Sequence, residues 1–257
     1  MKQSKLILLI SGGILTVIGV LFVVLTRTAA LQQEAAAAQT VPFAISMILA
    51  VVGLLLVIIG LLPEPKKVSV RTLCMAALFA ALCYVGFAYC KIDIPVGMEK
   101  TAFHLGNVFC VLAALFLGGF WGGMAGAIGM TIADLTTAYV TSAPKTFVLR
   151  LCIGLITGLV AHGIFKLSQD KERKIPLPAA TAISCTCGML FNVIADPLVG
   201  YFYKMYIMGV PQQAADMWAK MGAITTFVNA IVAVIAATVL YTALRKALQK
   251  TNLLPKL

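Results

Sequence analysis

Long apolar segments, separated by short polar stretches, follow one another along the 257 residues of the chain. A helix that crosses a membrane needs about 20 mostly apolar residues. Eight segments approach or exceed that length, at about residues 6–25, 41–62, 70–89, 103–117, 122–140, 146–167, 177–201 and 221–244. The pattern therefore predicts an all-α, polytopic membrane protein with eight spans.

The composition indicates that the solvent of this chain is a lipid bilayer. Hydrophobic residues make up 61% of the chain and charged residues 11%, against about 25% charged residues in a typical soluble protein. The mean hydropathy is +1.00. A soluble core of this size could not hide so much apolar surface. This excludes a soluble enzyme, a secreted disulfide scaffold, a disordered chain and a nucleic-acid-binding domain.

The basic residues indicate the orientation in the membrane, since Lys and Arg are enriched in cytoplasmic loops. With a cytoplasmic N-terminus, eight spans place thirteen of the 20 Lys and Arg residues on the cytoplasmic side and seven on the other side. This bias predicts that both termini are cytoplasmic. It also accounts for the net charge of +11 without nucleic acid.

A break in the apolar pattern divides the chain. Residues 63–67 have the sequence PEPKK and form the clearest linker. We therefore expect an N-terminal transmembrane hairpin with its linker over residues 1–66, and a six-span domain over residues 67–257. The first apolar segment is longer than the apolar region of usual signal peptides, and no convincing cleavage site follows closely. We expect it to be retained.

Glycines mark the junction between the fourth and fifth segments. The fourth segment is short and nearly joins the next across the sequence GGFW at residues 118–121. Either a tight turn near the membrane surface or a pair of broken helices fits this junction. Gly118, Gly122 and Gly126 recur every four residues, a spacing that lets two helix backbones approach closely.

Motifs for catalysis and for metal binding are absent from the sequence. The chain lacks HExxH and GxSxG arrangements and any nucleotide-binding loop. The seven cysteines form no CxxC pair, and no second histidine lies at helical spacing from His104 or His162. We therefore expect no enzyme, no cofactor and no metal site, and we expect His104 at the membrane interface.

Asp134 stands out because it lies inside an apolar segment. A carboxylate in hydrocarbon costs roughly 2.5 kcal/mol or more, so it needs a partner, a cavity or a proton. Lys145 and Arg150 lie one loop away, near the start of the next segment. An ion pair of Asp134 with either residue could hold the two helices together. A ligand-binding role is the interpretation we favour, and both roles can hold at once.

Three more polar residues lie in the last two apolar segments. Asn192 and Asn229 could hydrogen-bond to a neighbouring helix or contact a ligand. Asp196 precedes Pro197, whose ring leaves a backbone carbonyl without its helical partner, so a loop, a bend or a pocket wall fits there.

Two outer loops and one helix could carry further contacts. Residues 90–98 could cover a pocket as a lid, and Trp218 and other aromatic residues of the 201–220 loop fit either a membrane interface or a flat ligand.

Four alanines in the first span after the linker form two overlapping Ala-xxx-Ala stripes. They are Ala76, Ala77, Ala80 and Ala81, and they fit either internal packing or a face that docks another membrane protein.

From about residue 67 to residue 250, the chain resembles the S components of energy-coupling factor (ECF) transporters. The Ala-xxx-Ala stripes resemble the docking motif on the first helix of that family. HLGNVFCVLAALFLGGFWGGMAGAIGMTIADL resembles its second and third helices, APKTFVLR the start of its fourth, and FVNAIVAVIAATVLYTALRKAL its sixth. The expected architecture is a six-helix S-component bundle preceded by a two-helix hairpin, which usual family members lack.

The resemblance implies a subunit of the prokaryotic cytoplasmic membrane that captures a water-soluble vitamin from outside. Such a subunit docks through its alanines on a membrane T subunit with two ATPases, and it topples in the membrane during transport. The resemblance also implies a pocket that the first external loop gates. By position, the substrate-binding residues would be Asp134, Lys145, Arg150, Asn192, Asp196 and Asn229.

The leading hypothesis is therefore the substrate-capture subunit of an ECF-type importer. A pyridoxine-like or hydroxymethylpyrimidine-like ring is one candidate ligand, and riboflavin, folate, queuosine precursors and thiamine stay open. The alternative is a non-transporting membrane scaffold of MreD type with a related six-helix fold. Polar residues that converge on one outward cavity would favour the transporter, whereas polar residues at separate helix interfaces would favour the scaffold.

Overall fold

The structure, a computed structural model, describes residues 11–15, 18, 69–97, 99–169 and 175–251. Contacts divide the chain into two compact units, and residues 69–201 and 216–251 belong to one of them. The packing and the site described below lie within that unit. The predicted N-terminal hairpin falls almost entirely outside the described residues, and the domain boundary after residue 66 stays a prediction.

In its described parts, the segment from residue 69 to residue 251 forms six α-helices and one two-stranded sheet. The helices are α1 (Val70–Ala88), α2 (Gly106–Leu117), α3 (Gly119–Thr136), α4 (Ala143–Gly158), α5 (Leu177–Phe202) and α6 (Gln212–Lys250). The strands β1 (Lys91–Val96) and β2 (Glu99–His104) lie between α1 and α2. A 3-10 turn at Val140–Ser142 precedes α4, and π-helical turns at Leu159–Ile164 and Tyr203–Ile207 follow α4 and α5.

Four described helical stretches are long and apolar enough to cross a membrane: Val70–Ala88, Val140–Ile164, Leu177–Ile207 and Gln212–Lys250. Helix α2 has 12 residues, fewer than a span requires. The fold is therefore largely helical, as predicted, whereas the eight-span count stays a prediction. The last helix begins at Gln212 rather than near residue 221, so the predicted loop before it is shorter than expected.

The start of α1 follows from its first residues. Ser69 is the N-cap residue, and its side-chain oxygen accepts a hydrogen bond from the backbone N–H of Thr72 at 3.1 Å. Such a cap satisfies one of the backbone donors that a helix leaves unpaired at its first turn. The helix then buries Phe79 and Phe87 on the face that it turns to the core.

A β-hairpin takes the place of the start predicted for the fourth apolar segment. Its strands are antiparallel, with Lys91 opposite His104. Gly97, in the turn, has a φ of 61°, a conformation that favours glycine. The segment predicted to be helical from residue 103 becomes helical only at Gly106, because the residues before it belong to β2. The all-α prediction therefore omitted this small sheet.

A single glycine separates α2 from α3. Gly118 has a φ of 81°, which decides between the two alternatives in favour of a tight turn. Beyond the turn, a Cβ atom at Gly122 would collide with the backbone of Ala114. Gly123 lies equally close to Gly154 of α4, so the glycines serve the close helix packing that their spacing predicts.

The apolar core is built around α2. Residues 111–117 are all buried, as expected for a helix that other elements enclose. The ring of Phe116 lies 5.9 Å from the ring of Phe79 on α1 and 4.7 Å from the ring of Tyr241 on α6. Helix α2 thus connects α1 with α6, and its first turn reaches the polar cavity described next.

Candidate functional site

A polar cavity of about 60 Å³ lies where the β-hairpin meets helices α1 to α6. Polar side chains form most of its wall: Lys100, Thr101, His104, Asn107, Asp134, Ser142, Lys145, Thr146, Arg150, Asp196, Thr225, Thr226 and Asn229. Phe87, Tyr139 and Trp218 add aromatic rings. Convergent polar groups beside aromatic walls are the usual form of a small-molecule site.

Five of the six residues predicted to bind substrate lie in this wall: Asp134, Lys145, Arg150, Asp196 and Asn229. The sixth, Asn192, is not part of the wall but accepts a hydrogen bond from Arg150. The fold thus brings together residues that lie far apart in the sequence. Their role in binding stays a prediction.

An ion pair joins α4 to α5 in the cavity wall. Nζ of Lys145 lies 2.9 Å from Oδ1 of Asp196. The second carboxylate oxygen, Oδ2, accepts a hydrogen bond from the Thr226 hydroxyl of α6, also at 2.9 Å. Helix α5 continues through Pro197, so Asp196 lies within the helix and forms a pocket wall rather than a loop.

Asp134 forms neither of the ion pairs predicted for it. Lys145 pairs with Asp196 instead. Nη1 of Arg150 donates to Oδ1 of Asn192 at 3.0 Å. The two acceptors lie four residues apart on one face of α5, and this spacing lets a single helix engage both cations. Oδ2 of Asp134 is buried and has no hydrogen-bond partner within the described part of the chain.

Asn229 fastens β2 to α6. Its Oδ1 atom accepts a hydrogen bond from the backbone N–H of His104, and its Nδ2 atom donates to the carbonyl oxygen of Ala102, both at 3.0 Å. The hydroxyl groups of Thr101 and Thr225 are 2.9 Å apart and add a third contact between the same elements. The sequence allowed Asn229 either to hydrogen-bond to a neighbouring helix or to contact a ligand. In the structure, its amide holds strand β2 in place.

The loop after α3 fastens β1. The Tyr139 hydroxyl donates to Oδ1 of Asp93 at 2.9 Å. Nζ of Lys91 lies 3.2 Å from the same oxygen and 4.8 Å from the centre of the Tyr139 ring. Burial, and then the hydrogen bond to Asp93, raise the pKa of Tyr139, so the phenol keeps the proton that it donates. The hairpin is thus held at both of its strands.

Two wall residues at the junction of β2 and α2 were missed by sequence reasoning. The ring of His104, which we expected at the membrane interface, is buried within the protein and lies 4.6 Å from the ring of Phe87. Burial, followed by the nearby Arg150, lowers the pKa of His104 to about 3, so the imidazole is neutral at pH 7. Asn107 is also buried. In the sequence, the signal for these two residues is that His104 and Asn107 lie three positions apart at the start of an apolar segment.

Residues 67–246 match the family model described as "ECF-type riboflavin transporter, S component". The chain belongs to this family. No curated protein and no solved structure matches the chain. The match confirms the resemblance seen in the sequence, and it identifies a membrane transport subunit rather than a member of an enzyme class. It leaves the residues of the predicted N-terminal hairpin outside its range.

In this S component, the four alanines of α1 divide between two faces. Ala77 and Ala81 are exposed. Ala76 is buried in the core, and Ala80 packs against that core. A Cβ atom at Gly129 of α3 would collide with the carbonyl oxygen of Ala80. Internal packing therefore accounts for Ala76 and Ala80, and only Ala77 and Ala81 present an outer surface for a partner.

Proposed function

We propose that the chain is the substrate-capture subunit of an ECF-type importer and that the polar cavity beside the β-hairpin is its substrate site. Convergence is the observation that carries this proposal, since five polar residues from separate parts of the sequence line one cavity. Inside a membrane, polar side chains gather where they pair with one another or line a solvated site. A scaffold of MreD type would instead leave them at separate helix interfaces.

A water-soluble vitamin or vitamin precursor with a flat polar ring is the substrate that this cavity suits. Phe87 and Trp218 supply aromatic surface. Arg150 supplies hydrogen-bond donors, and Asp134 supplies acceptors. Pyridoxine and hydroxymethylpyrimidine carry both kinds of group on one ring, and riboflavin is the vitamin that the description of the family names. These three compounds are the first ligands to test.

The size of the cavity implies that one wall moves when the substrate enters. About 60 Å³ is far below the roughly 300–1,000 Å³ of pockets that hold drug-sized ligands. The hairpin supplies Lys100, Thr101 and His104 to the wall, and a few side-chain hydrogen bonds hold it to α6 and to Tyr139. It is the wall that can be displaced without unpacking a helix, as expected of a gating loop.

Partner subunits would supply the energy for uptake. The chain contains no nucleotide-binding loop, so in an ATP-driven importer two ATPase subunits must hydrolyse ATP. We propose that the exposed alanines of α1, Ala77 and Ala81, contact the membrane T subunit that links the chain to them. The complex would operate in the cytoplasmic membrane of a prokaryote and take its substrate from the outer side.

Native mass spectrometry of the detergent-purified chain tests the capture function. The protein is incubated with riboflavin, pyridoxine, hydroxymethylpyrimidine and thiamine, alongside the variants Asp134→Asn and Asp216→Asn. Asp216 is exposed and is not part of the cavity wall, so it controls for the loss of one carboxylate. We expect a bound vitamin in the wild type and in Asp216→Asn, and binding at least about tenfold weaker in Asp134→Asn. Absence of binding to the wild type would contradict the proposal.

A further inference from the structure

Four buried atoms in the cavity wall have no hydrogen-bond partner among the residues that the structure describes. They are Nδ1 of His104, Oδ1 of Asn107, Oδ2 of Asp134 and Nε of Arg150. The four residues are 8%, 1%, 2% and 7% exposed, respectively. Buried polar atoms in native proteins are nearly always paired, because an unpaired one destabilises the fold. A cluster of them in one cavity indicates a place where a ligand supplies the partners.

The junction of β2 and α2 holds two of these residues in fixed positions. The backbone of His104 is bound to Asn229, and its ring lies edge-on to the ring of Phe87. Gly106, the first residue of α2, leaves room for the imidazole, since a Cβ atom there would lie 3.3 Å from Nδ1 of His104. Asn107 follows within the first turn of α2. Once the hairpin has closed over the cavity, side chains held in this way bind a ligand with little loss of conformational entropy.

We propose that His104 and Asn107 contact the substrate and form, with Asp134, one recognition edge for the N–H or O–H groups of an uncharged, unphosphorylated ring; this inference rests on the proposed substrate site. The amide oxygen of Asn107 and the carboxylate of Asp134 accept hydrogen bonds. The neutral imidazole of His104 offers one ring nitrogen as a further acceptor, with the tautomer set by the bound ligand. Arg150 lies in the same wall and donates to an acceptor on the ring.

The charges in the wall disfavour a phosphate ester. Two buried cations, Lys145 and Arg150, are balanced by two carboxylates, Asp134 and Asp196. Lys145 already pairs with Asp196 at 2.9 Å, which leaves Arg150 and the exposed Lys100 to meet any anion. A phosphate dianion would have to enter beside the Asp134 carboxylate, and an incompletely paired charge is costly to bury. An uncharged ring brings no such penalty.

Two substitutions test the recognition edge, and one matched substitution controls for burial. Asn107→Leu removes the amide at similar volume, and His104→Phe keeps an aromatic ring against Phe87 while removing both ring nitrogens. Thr157→Val is the control, because Oγ1 of Thr157 is also buried without a partner in the described chain but lies outside the cavity wall. The probes are riboflavin, pyridoxine and hydroxymethylpyrimidine, each compared with its monophosphate ester in binding titrations on the purified full-length chain.

We expect the wild type to bind one of the three unphosphorylated compounds at least about tenfold more tightly than its monophosphate. Asn107→Leu and His104→Phe should each weaken that binding about tenfold or more, whereas Thr157→Val should leave it within about twofold. Wild-type binding that either folded variant retains in full would overturn the recognition edge and leave the capture function intact. Preferred binding of a monophosphate would overturn the uncharged substrate class. A wild type that binds none of the probes would overturn the capture function itself.

Discussion

Lys145 and Asp196 form an ion pair across the wall of the cavity, with 2.9 Å between Nζ and Oδ1. Their side chains are 6% and 15% exposed, so the pair is largely shielded from solvent. Each partner has a second contact: Nζ of Lys145 lies 5.4 Å from the centre of the Trp218 ring, and Asp196 accepts a hydrogen bond from Thr226. The pair therefore fixes the start of α4 against α5 and leaves Asp134 without a counter-ion at hydrogen-bonding distance among the residues that the structure describes.

Removal of one partner of this pair should destabilise the chain more than removal of both. Lys145→Met leaves the Asp196 carboxylate buried without its counter-charge, and breaking buried pairs in this way costs about 3–5 kcal/mol. The double variant Lys145→Met/Asp196→Leu should recover most of that loss, because no charge is then left unpaired. Thermal unfolding in detergent measures both effects. The exposed Lys220, as Lys220→Met, is the control. A double variant less stable than Lys145→Met would contradict this account.

The hairpin should loosen when its link to α6 is removed. Asn229→Leu deletes two hydrogen bonds to β2, so the backbone N–H of His104 and the carbonyl of Ala102 lose these partners. The expected local loss of stability is about 1–3 kcal/mol. Hydrogen–deuterium exchange of residues 99–104 should therefore accelerate. Thr225→Val deletes a single contact with β2, the one with Thr101, and should have a smaller effect. Equal exchange in the wild type and in Asn229→Leu would show that α6 does not hold the strand.

His104 should make the chain less stable in acid. Its pKa is about 6.5 when unfolded and about 3 when folded, so between these values the unfolded chain binds more protons. The free energy of unfolding then rises with pH through this window. The stability that the chain gains from a neutral His104 is present in full above about pH 6.5 and is lost as the pH falls toward 3. Thermal melts between pH 4 and pH 7.5 should show a smaller slope for His104→Phe than for the wild type. Identical slopes would indicate that folding leaves the pKa of His104 unchanged, which would contradict this account.

The sequence identified five of the thirteen polar residues of the wall but not the side chains that they contact. Asp134, Asp196 and Asn229 were predicted because a charge or an amide inside an apolar segment is costly and therefore conspicuous. The partner of Lys145 could not be predicted, because apolar positions that face lipid look the same in sequence as those that face another helix. His104 and Asn107 were missed because polar residues at the edge of a span are ordinary at a membrane interface.

The same limits apply to the fold. The predicted segment at residues 70–89 agrees with α1, which spans Val70–Ala88, because a long apolar run ends there at polar residues. The β-hairpin was not predicted, since its strands have six residues each and one of them contains Pro95. Such short strands carry too little periodicity to distinguish them from a loop.

The exposed alanines of α1 allow a test of docking that is separate from binding. Ala77→Trp and Ala81→Trp place a large ring on the outer face of α1, away from the core. We expect each to abolish vitamin uptake by cells that contain the whole importer, while the purified chain binds its vitamin as the wild type does. Ala80→Trp should instead lower the yield of folded protein, because Ala80 packs tightly against Gly129.

Val239→Trp is the matched control for these alanine variants, since Val239 is 60% exposed on α6 and a large ring there should face lipid. Uptake by this variant should equal wild-type uptake. Uptake that survives in both Ala77→Trp and Ala81→Trp would place the T-subunit contact on another surface. Loss of vitamin binding in either variant would show that these alanines support the fold of the cavity rather than a partner, because a docking face does not touch the substrate.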